Sequence, residues 1–372
     1  DEYEYKLIEK VVEQVSRLIN LCPLHIAEYP VGLKLRVLHV RKLLDAGSDD
    51  GVSMIGIHGM GGVGKSTLAR AVYNELIIAE KFDGLCFLAN VRENSTKHGL
   101  EHLQRIFLSE IIGEKNINLT SKEKGISIIQ SRVTRKKVHL ILDDVNKLEQ
   151  LQAIAGRSDW FGPGSKIIIT TRDKQLLASH EVNKTYEVEE LNANDALQLL
   201  TWKAFRKEKA DPTYVEVLKN AVTYASGLPL ALEVIGSHLF GKTIEEWESG
   251  IKQYKRIPKK EILEILKVSF DALEEEEKSV FLDIACCFKG CNSQEVEHML
   301  HCLYDDCCMK YHIGVLVEKS LIEVSWDGVV NMHDLIQDMG RRIDQQESSK
   351  EPGKRRRLWL AKDIIQVLKD NS

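Results

Sequence analysis

No apolar run in this chain approaches the roughly 20 residues that a membrane-spanning helix needs, and no leader-like charged and apolar pattern opens it. Membrane-embedded and secreted classes are therefore not expected; a cytoplasmic location is, with the nucleus as the alternative. Proline is scarce, seven in 372 residues, and with 43% hydrophobic and 29% charged side chains nothing reads as a disordered tract. An excess of positive charge is missing too. Fifty-six acidic against 51 basic residues leave a net charge of -5, so nothing global attracts nucleic acid. Eight cysteines are present, but without paired CxxC spacing and with the adjacent pairs Cys286-Cys287 and Cys307-Cys308, unlike a secreted disulfide framework. They read as reduced thiols. Zinc held in the crowded stretch of His298, His301, Cys302, Cys307, Cys308 and His312 is the lesser alternative. No fixed-period repeat appears, which excludes a solenoid within these residues.

At 372 residues the chain should contain two or three compact units. Leu7, Ile8, Val11, Val12, Val15, Leu18 and Ile19 recur at helical spacing until Pro23 and Pro30 interrupt them, so residues 1–29 read as a linker helix. The chain opens at Asp1 directly into this pattern, as expected of a segment of a longer protein. From Val52 to about Tyr186 continuous apolar strands, "VSMIGI", "GLCFLANV", "VHLILDDV", "SKIIITT" and "KTYEV", alternate with helical stretches. That predicts an α/β domain over residues 30–190, its parallel sheet covered on both faces. After Glu190 the pattern turns helical. "NANDALQLLTWKAF" starts with capping residues and buries Ala196, Leu199, Leu200 and Ala204, and "GLPLALEVIGSHLF" admits Pro229 in a first turn. Residues 191–260 are expected to be a small helical bundle. Residues 261–372 supply further helices and then "LIEVSWDGVVNM", two short strands about an Asp327-Gly328 turn, the order of a winged helix. Its candidate recognition helix carries Val315, Leu316 and Val317 and few positive charges, which favours protein packing over DNA contact. The basic run Lys354 to Arg357 reads as a solvated face.

The chemistry sits in "GMGGVGKST". Gly59, four residues, then Gly64-Lys65-Ser66 match the P-loop pattern, between a strand and a helix as the mechanism requires. Backbone N–H groups of Gly59, Gly61, Gly62, Val63, Gly64 and the helix start at Ser66 and Thr67 can cradle phosphates, while Lys65 neutralises β- and γ-oxygens. Ser66 would ligate Mg2+. A second magnesium-holding acid is needed at the end of a neighbouring strand, and "VHLILDDV" places Asp143 there. Asp144 is the candidate to orient an attacking water, with a structural hydrogen bond or helix cap as an equal alternative. The strand "SKIIITTR" ends in Arg172, which can report a γ-phosphate; a surface salt bridge is the alternative.

Seven motifs in order, "GMGGVGKST", "FLANVRE", "LILDDV", "GSKIIITTRD", "GLPLAL", "FLDIACCFKG" and "MHD" at Met332 to Asp334, resemble the NB-ARC module of plant intracellular nucleotide-binding, leucine-rich-repeat immune receptors. "FLDIACCF", and Asn146 rather than Trp after "LDDV", look like the receptors with a TIR-type N-terminal domain. The resemblance implies a nucleotide-binding domain, two ARC domains of which the second is a winged helix, an upstream TIR domain and downstream leucine-rich repeats. It implies an adenine nucleotide, ADP or ATP, and three further contacts: Val31 lining the adenine site, Pro229 by the base and ribose, and His333 approaching the ADP β-phosphate. Asp334 would orient the helix start. Two residues depart from the pattern, Lys34 where an acidic residue is usual and Asp344 at a usually apolar position.

The arrangement that the resemblance implies favours a switch over an engine. Bound ADP would tie three domains into one closed body, and exchange to ATP would favour a rotated winged helix, with oligomers replacing the monomer on activation. Hydrolysis would then be slow and Mg2+-dependent, resetting the state. The rivals are an ATPase acting by sustained turnover and a nucleotide-gated, winged-helix DNA-binding regulator.

Overall fold

The computed structural model describes residues 23–46, 51–113, 117, 119–256, 260–304, 308–347 and 356–370. The helix expected from Leu7 to Ile19 lies outside them. Two compact units are distinguished: one comprises the chain up to Ile55 with Ser66–Val145 and Glu149–Thr170, the other Gly56–Lys65, Asn146–Leu148 and the chain from Thr171 onward.

The α/β part is built on five strands, β1 (Ser53–His58), β2 (Gly84–Leu88), β3 (Val138–Val145), β4 (Lys166–Thr171) and β5 (Lys184–Glu187), in the order β2-β3-β4-β1-β5. Each expected strand is present. β2 and β3 run parallel, from Gly84 opposite Val138 to Leu88 opposite Leu142. Every residue of β4, and all of β3 but Asp144, is buried, as uninterrupted apolar runs require when helices cover both faces. One expectation is corrected by this order. β3, which ends in the acidic pair, is not the neighbour of β1, because β4 is inserted between them.

In the first unit, helix Leu100–Ile112 packs on β2, bringing Ile111 against Gly84. Gln104 is fully buried there because its amide donates to the carbonyls of Lys122 at 3.1 Å and Ala153 at 2.9 Å. His139 on β3 is buried as well; its Nδ1 meets the Lys166 carbonyl at 3.0 Å, and its ring stacks on Tyr73 with centroids 5.1 Å apart. Burial pushes this imidazole from 6.5 down to about 4. The unfolded chain takes up a proton near 6.5 and the folded chain does not, so the contribution is complete above pH 6.5 and is lost as the pH falls towards about 4. His139→Gln should therefore flatten the decline of the urea midpoint between pH 6.5 and 4.5. An unchanged slope would assign the decline to other groups.

The second unit carries the helices. Ala193–Phe205 is capped by Asn192, whose side chain accepts from the Asn194 and Asp195 N–H groups, and it buries Ala196, Leu199, Leu200 and Ala204. Helices Val215–Ala225, Pro229–Leu239 and Ile244–Arg256 complete a bundle around Trp247, which is fully buried, stacks on Phe205 and donates to the Leu239 carbonyl at 2.9 Å. Beyond Lys260–Asp271, helix Glu275–Asp283 starts in a capping box of Glu274 and Glu277 and continues as a π-helical turn, Ile284–Phe288. Helices Ser293–Tyr304 and Met309–Glu318 lead into a hairpin of β6 (Glu323–Val324) and β7 (Val330–Asn331) with Gly328 at φ 82°, then Asp334–Glu347 and Ala361–Asp370. This is the winged-helix order.

The basic run needs correcting. Lys354 and Arg355 lie outside the described residues, and Arg357 is not solvated: it is 5% exposed and ion-paired with Asp283 and Asp344. Asp344, an acid where the resemblance implies an apolar residue, is buried for the same reason and also accepts from Trp359 Nε1 at 3.2 Å.

Candidate functional site

The phosphate loop follows β1 and ends where helix Lys65–Ala79 begins. Gly62 stands at φ 80°, and a Cβ built there would lie 2.8 Å from the Leu230 Cβ. A Cβ on Gly61 would lie 2.6 Å from Arg172 Nη1. The loop is thus closed to side chains on these sides, and only glycine adopts its backbone without strain. Val63 is buried. Lys65 is 7% exposed and its ammonium donates to the Gly59 and Met60 carbonyls, both at 2.8 Å. A buried ammonium beside a helix start and a glycine loop fits the phosphates of a nucleotide.

Three expected residues cluster with this loop inside the second unit. Arg172 Nη1 donates to the Ile265 carbonyl at 2.7 Å, which holds the guanidinium against Gly61. Pro229 is the first residue of its helix, where a missing N–H costs nothing, and the next N–H, of Leu230, donates to the Gly62 carbonyl at 3.2 Å. His333 lines a cavity of about 730 Å³ with Gly59, Met60, Glu190, Ser226 and Asp334. Its Nδ1 accepts from the Leu335 N–H at 3.1 Å, so Nε2 carries the proton and donates to the Ser226 carbonyl at 3.2 Å. Burial lowers the affinity of this imidazole for a second proton, against the opposing charges of Glu190 and Asp334. Asp334 accepts from Lys289 and, at 3.2 Å, from the Ser226 hydroxyl; the Lys289 ammonium holds its carboxyl below the usual carboxylate range.

The remaining candidates belong to the first unit. Asp143 is 1% exposed and accepts from Thr170 Oγ1 at 2.7 Å, while the same oxygen accepts from the Asp144 N–H at 2.8 Å. Asp144, at φ 59°, turns its carboxylate into an ion pair with Arg92 at 2.8 Å. Adjacent in sequence, the two acids thus have different partners, and the pairing with Arg92 competes with orientation of a water by Asp144. Ser66 and Thr67 are half-buried in the first turn of their helix. Val31 is half-buried just before helix Leu33–Asp45, whose cap Gly32 stands at φ 67°. Among the described residues no group of three or more His, Cys, Asp or Glu could hold a metal ion, and Cys307 lies outside them.

Residues 36–210 match the NB-ARC domain model, and residues 274–348 match the winged-helix domain of Roq1-like disease resistance proteins. Residues 36–210 belong to the NB-ARC family. The module is 40% identical over its full length to TMV resistance protein N of Nicotiana glutinosa, covering 32% of that protein. Over 99% of its length it is 38% identical to disease resistance protein RUN1 of Vitis rotundifolia, covering 27% of it. It therefore spans a third or less of these relatives. Among solved structures, the Walker-type ATPase PABY2304 of Pyrococcus abyssi shares the fold, with TM-score 0.52 at 16% identity over 87% of this chain and 99% of that one. The module is thus similar to the corresponding region of plant disease-resistance proteins and shares the fold of a Walker-type ATPase, and the NB-ARC match implies nucleotide binding. Among the described residues no helix is long and apolar enough to cross a membrane.

Sequence reasoning missed Arg92, Ile265, Lys289 and Ser226 as members of these clusters. Arg92 and Lys289 fall inside quoted motifs, "FLANVRE" and "FLDIACCFKG", so a signal existed for them. Ile265 acts through its carbonyl, which no side-chain pattern reveals.

Proposed function

We propose that this NB-ARC module is an ADP/ATP switch of a plant disease-resistance receptor, closed with ADP and activated by exchange to ATP. The observation that carries the reading is that the phosphate loop, the Pro229 helix and His333 come together in one compact unit although they are far apart in sequence. Groups that would hold a diphosphate therefore also hold chain segments together. Lys65 and the loop N–H groups would take the β- and γ-phosphates, Ser66 and Asp143 a Mg2+ ion, and Arg172 would report the γ-phosphate. Val31 and Pro229 would lie by the adenosine, and His333 by the β-phosphate of ADP. Boundaries near residues 190 and 260 would divide nucleotide-binding, helical and winged-helix domains. Magnesium would neutralise phosphate charge; slow hydrolysis agrees with an Asp144 occupied by Arg92. In the full receptor a TIR domain would precede the module and leucine-rich repeats follow it, the ADP form being monomeric and the activated form oligomeric.

The test is to purify the protein without added nucleotide, denature it and quantify what is released. Near-stoichiometric ADP is expected. An empty site with brisk ATP turnover would replace the switch by a turnover ATPase. Lys65→Arg keeps the charge but not the compact donor that fits between two carbonyls, so retained ADP should fall at least tenfold. Unchanged retention would remove the phosphate assignment.

A further inference from the structure

We propose that Ser226 is a positioning residue that couples the MHD motif to the phosphate loop, through the first turn of the Pro229 helix. The proposal rests on the switch reading for its consequence but not for its geometry. Two groups of the winged helix meet Ser226: its carbonyl accepts from His333 Nε2 at 3.2 Å, and its hydroxyl, 3.2 Å from both the Thr223 carbonyl and the Asp334 carboxylate, donates to the charged one. Asp334 is itself anchored by Lys289, which also donates to Gln337 at 3.3 Å, while the Gln337 amide donates to the Ala285 carbonyl in the π-helical turn at 3.0 Å. One end of the coupling is therefore fixed in the winged helix.

From Ser226 to the loop the chain has no slack. Ser226 at φ 47° and Gly227 at φ 75° are consecutive left-handed residues between two helices. The Leu228 N–H donates to Ala225 at 2.9 Å, the Gly227 carbonyl accepts from Leu191 at 2.9 Å, and the Leu228 side chain is fully buried. A Cβ on Gly227 would lie 2.4 Å from the Leu191 carbonyl, so this connector cannot relax sideways. Two residues beyond Leu228, the Leu230 N–H meets the Gly62 carbonyl. A trans peptide points its C=O and N–H in opposite directions. Pinning the Gly62 oxygen on Leu230 therefore aims the Val63 N–H of the same peptide away from Leu230, fixing one donor of the phosphate cradle. Release of Ser226 by the winged helix frees that peptide to turn.

Two readouts test the coupling, one of them without nucleotide. In nucleotide-free protein, hydrogen exchange at the Leu230 amide should accelerate about five- to tenfold in both Ser226→Ala and Asp334→Asn, in line with loss of one solvent-exposed hydrogen bond. Dissociation of a fluorescent ADP analogue should accelerate by a similar factor, and the double variant should be no faster than the faster single one. Ser226→Asn, which tolerates the left-handed backbone and keeps a donor, should restore most of the effect. If Asp334→Asn speeds ADP release while Ser226→Ala leaves both readouts unchanged, the coupling is wrong and the switch stands. If the unaltered protein binds no nucleotide, the switch reading fails, and exchange at Leu230 still decides the coupling.

Discussion

Arg357→Ala should lower the folding stability of this chain by about 3–5 kcal/mol, the range for removing one partner of a buried ion pair. The guanidinium is the counter-charge of two carboxylates: Nε meets Asp283, and Nη1 meets Asp344 at 3.4 Å. Nη2 adds the Ser279 carbonyl at 2.9 Å and the Tyr304 hydroxyl at 3.4 Å. Asp283 and Asp344 are 7% and 1% exposed, so water cannot replace the lost partner, and the cost falls on their uncompensated charge. Arg356, exposed and 4.9 Å above the Tyr304 ring, provides the contrast; Arg356→Ala should cost under about 1 kcal/mol. Urea denaturation of both variants decides the matter. A loss for Arg357→Ala no larger than for Arg356→Ala would mean that the acids are hydrated in solution. If the penalty belongs to stranded charge, Arg357→Met combined with Asp283→Leu and Asp344→Leu should recover most of it.

Gly62→Val should abolish nucleotide retention, lowering affinity at least a hundredfold, while leaving the chain folded. A β-branched residue at φ 80° is strained by about 1–3 kcal/mol before any contact is considered. Its Cβ would also meet the Leu230 Cβ and Cδ2, both at 2.8 Å, so either Leu230 retreats or the loop does. Both outcomes lengthen the Leu230 N–H to Gly62 bond and turn the Val63 N–H. Leu230→Ala in the same chain removes the clash but not the backbone strain, so it should restore affinity only in part. Titration with a fluorescent ADP analogue measures this, with circular dichroism as the control for folding. Full affinity in Gly62→Val would show that this peptide takes no part in phosphate binding.

Much of this architecture was legible beforehand. Continuous apolar strands separated by helical periods mark a covered sheet because each pattern is local and repeats over many residues; all five strands appear where those runs lie. The P-loop was legible for a related reason, since glycine, lysine and helix start act within nine residues. The pairing of Asp144 with Arg92 was not, because 52 positions separate them and either acid of "LDDV" could have turned that way. Arg357 was misread because a run of basic residues looks solvated until the acids that bury one of them, Asp283 and Asp344, are known.

What the sequence by itself determined are features set by neighbours along the chain: the strand and helix identities, the glycine cradle, the capping residues, and through seven ordered motifs the family. Tertiary structure alone decided strand order, with β4 between β1 and β3, and the partners of each charged group. It also placed Ser226 between His333, Asp334 and the helix that touches Gly62. The reason is physical. Backbone preference and amphipathic periodicity act over a few residues, whereas a buried charge or an N–H finds whichever partner the completed fold brings within about 3 Å.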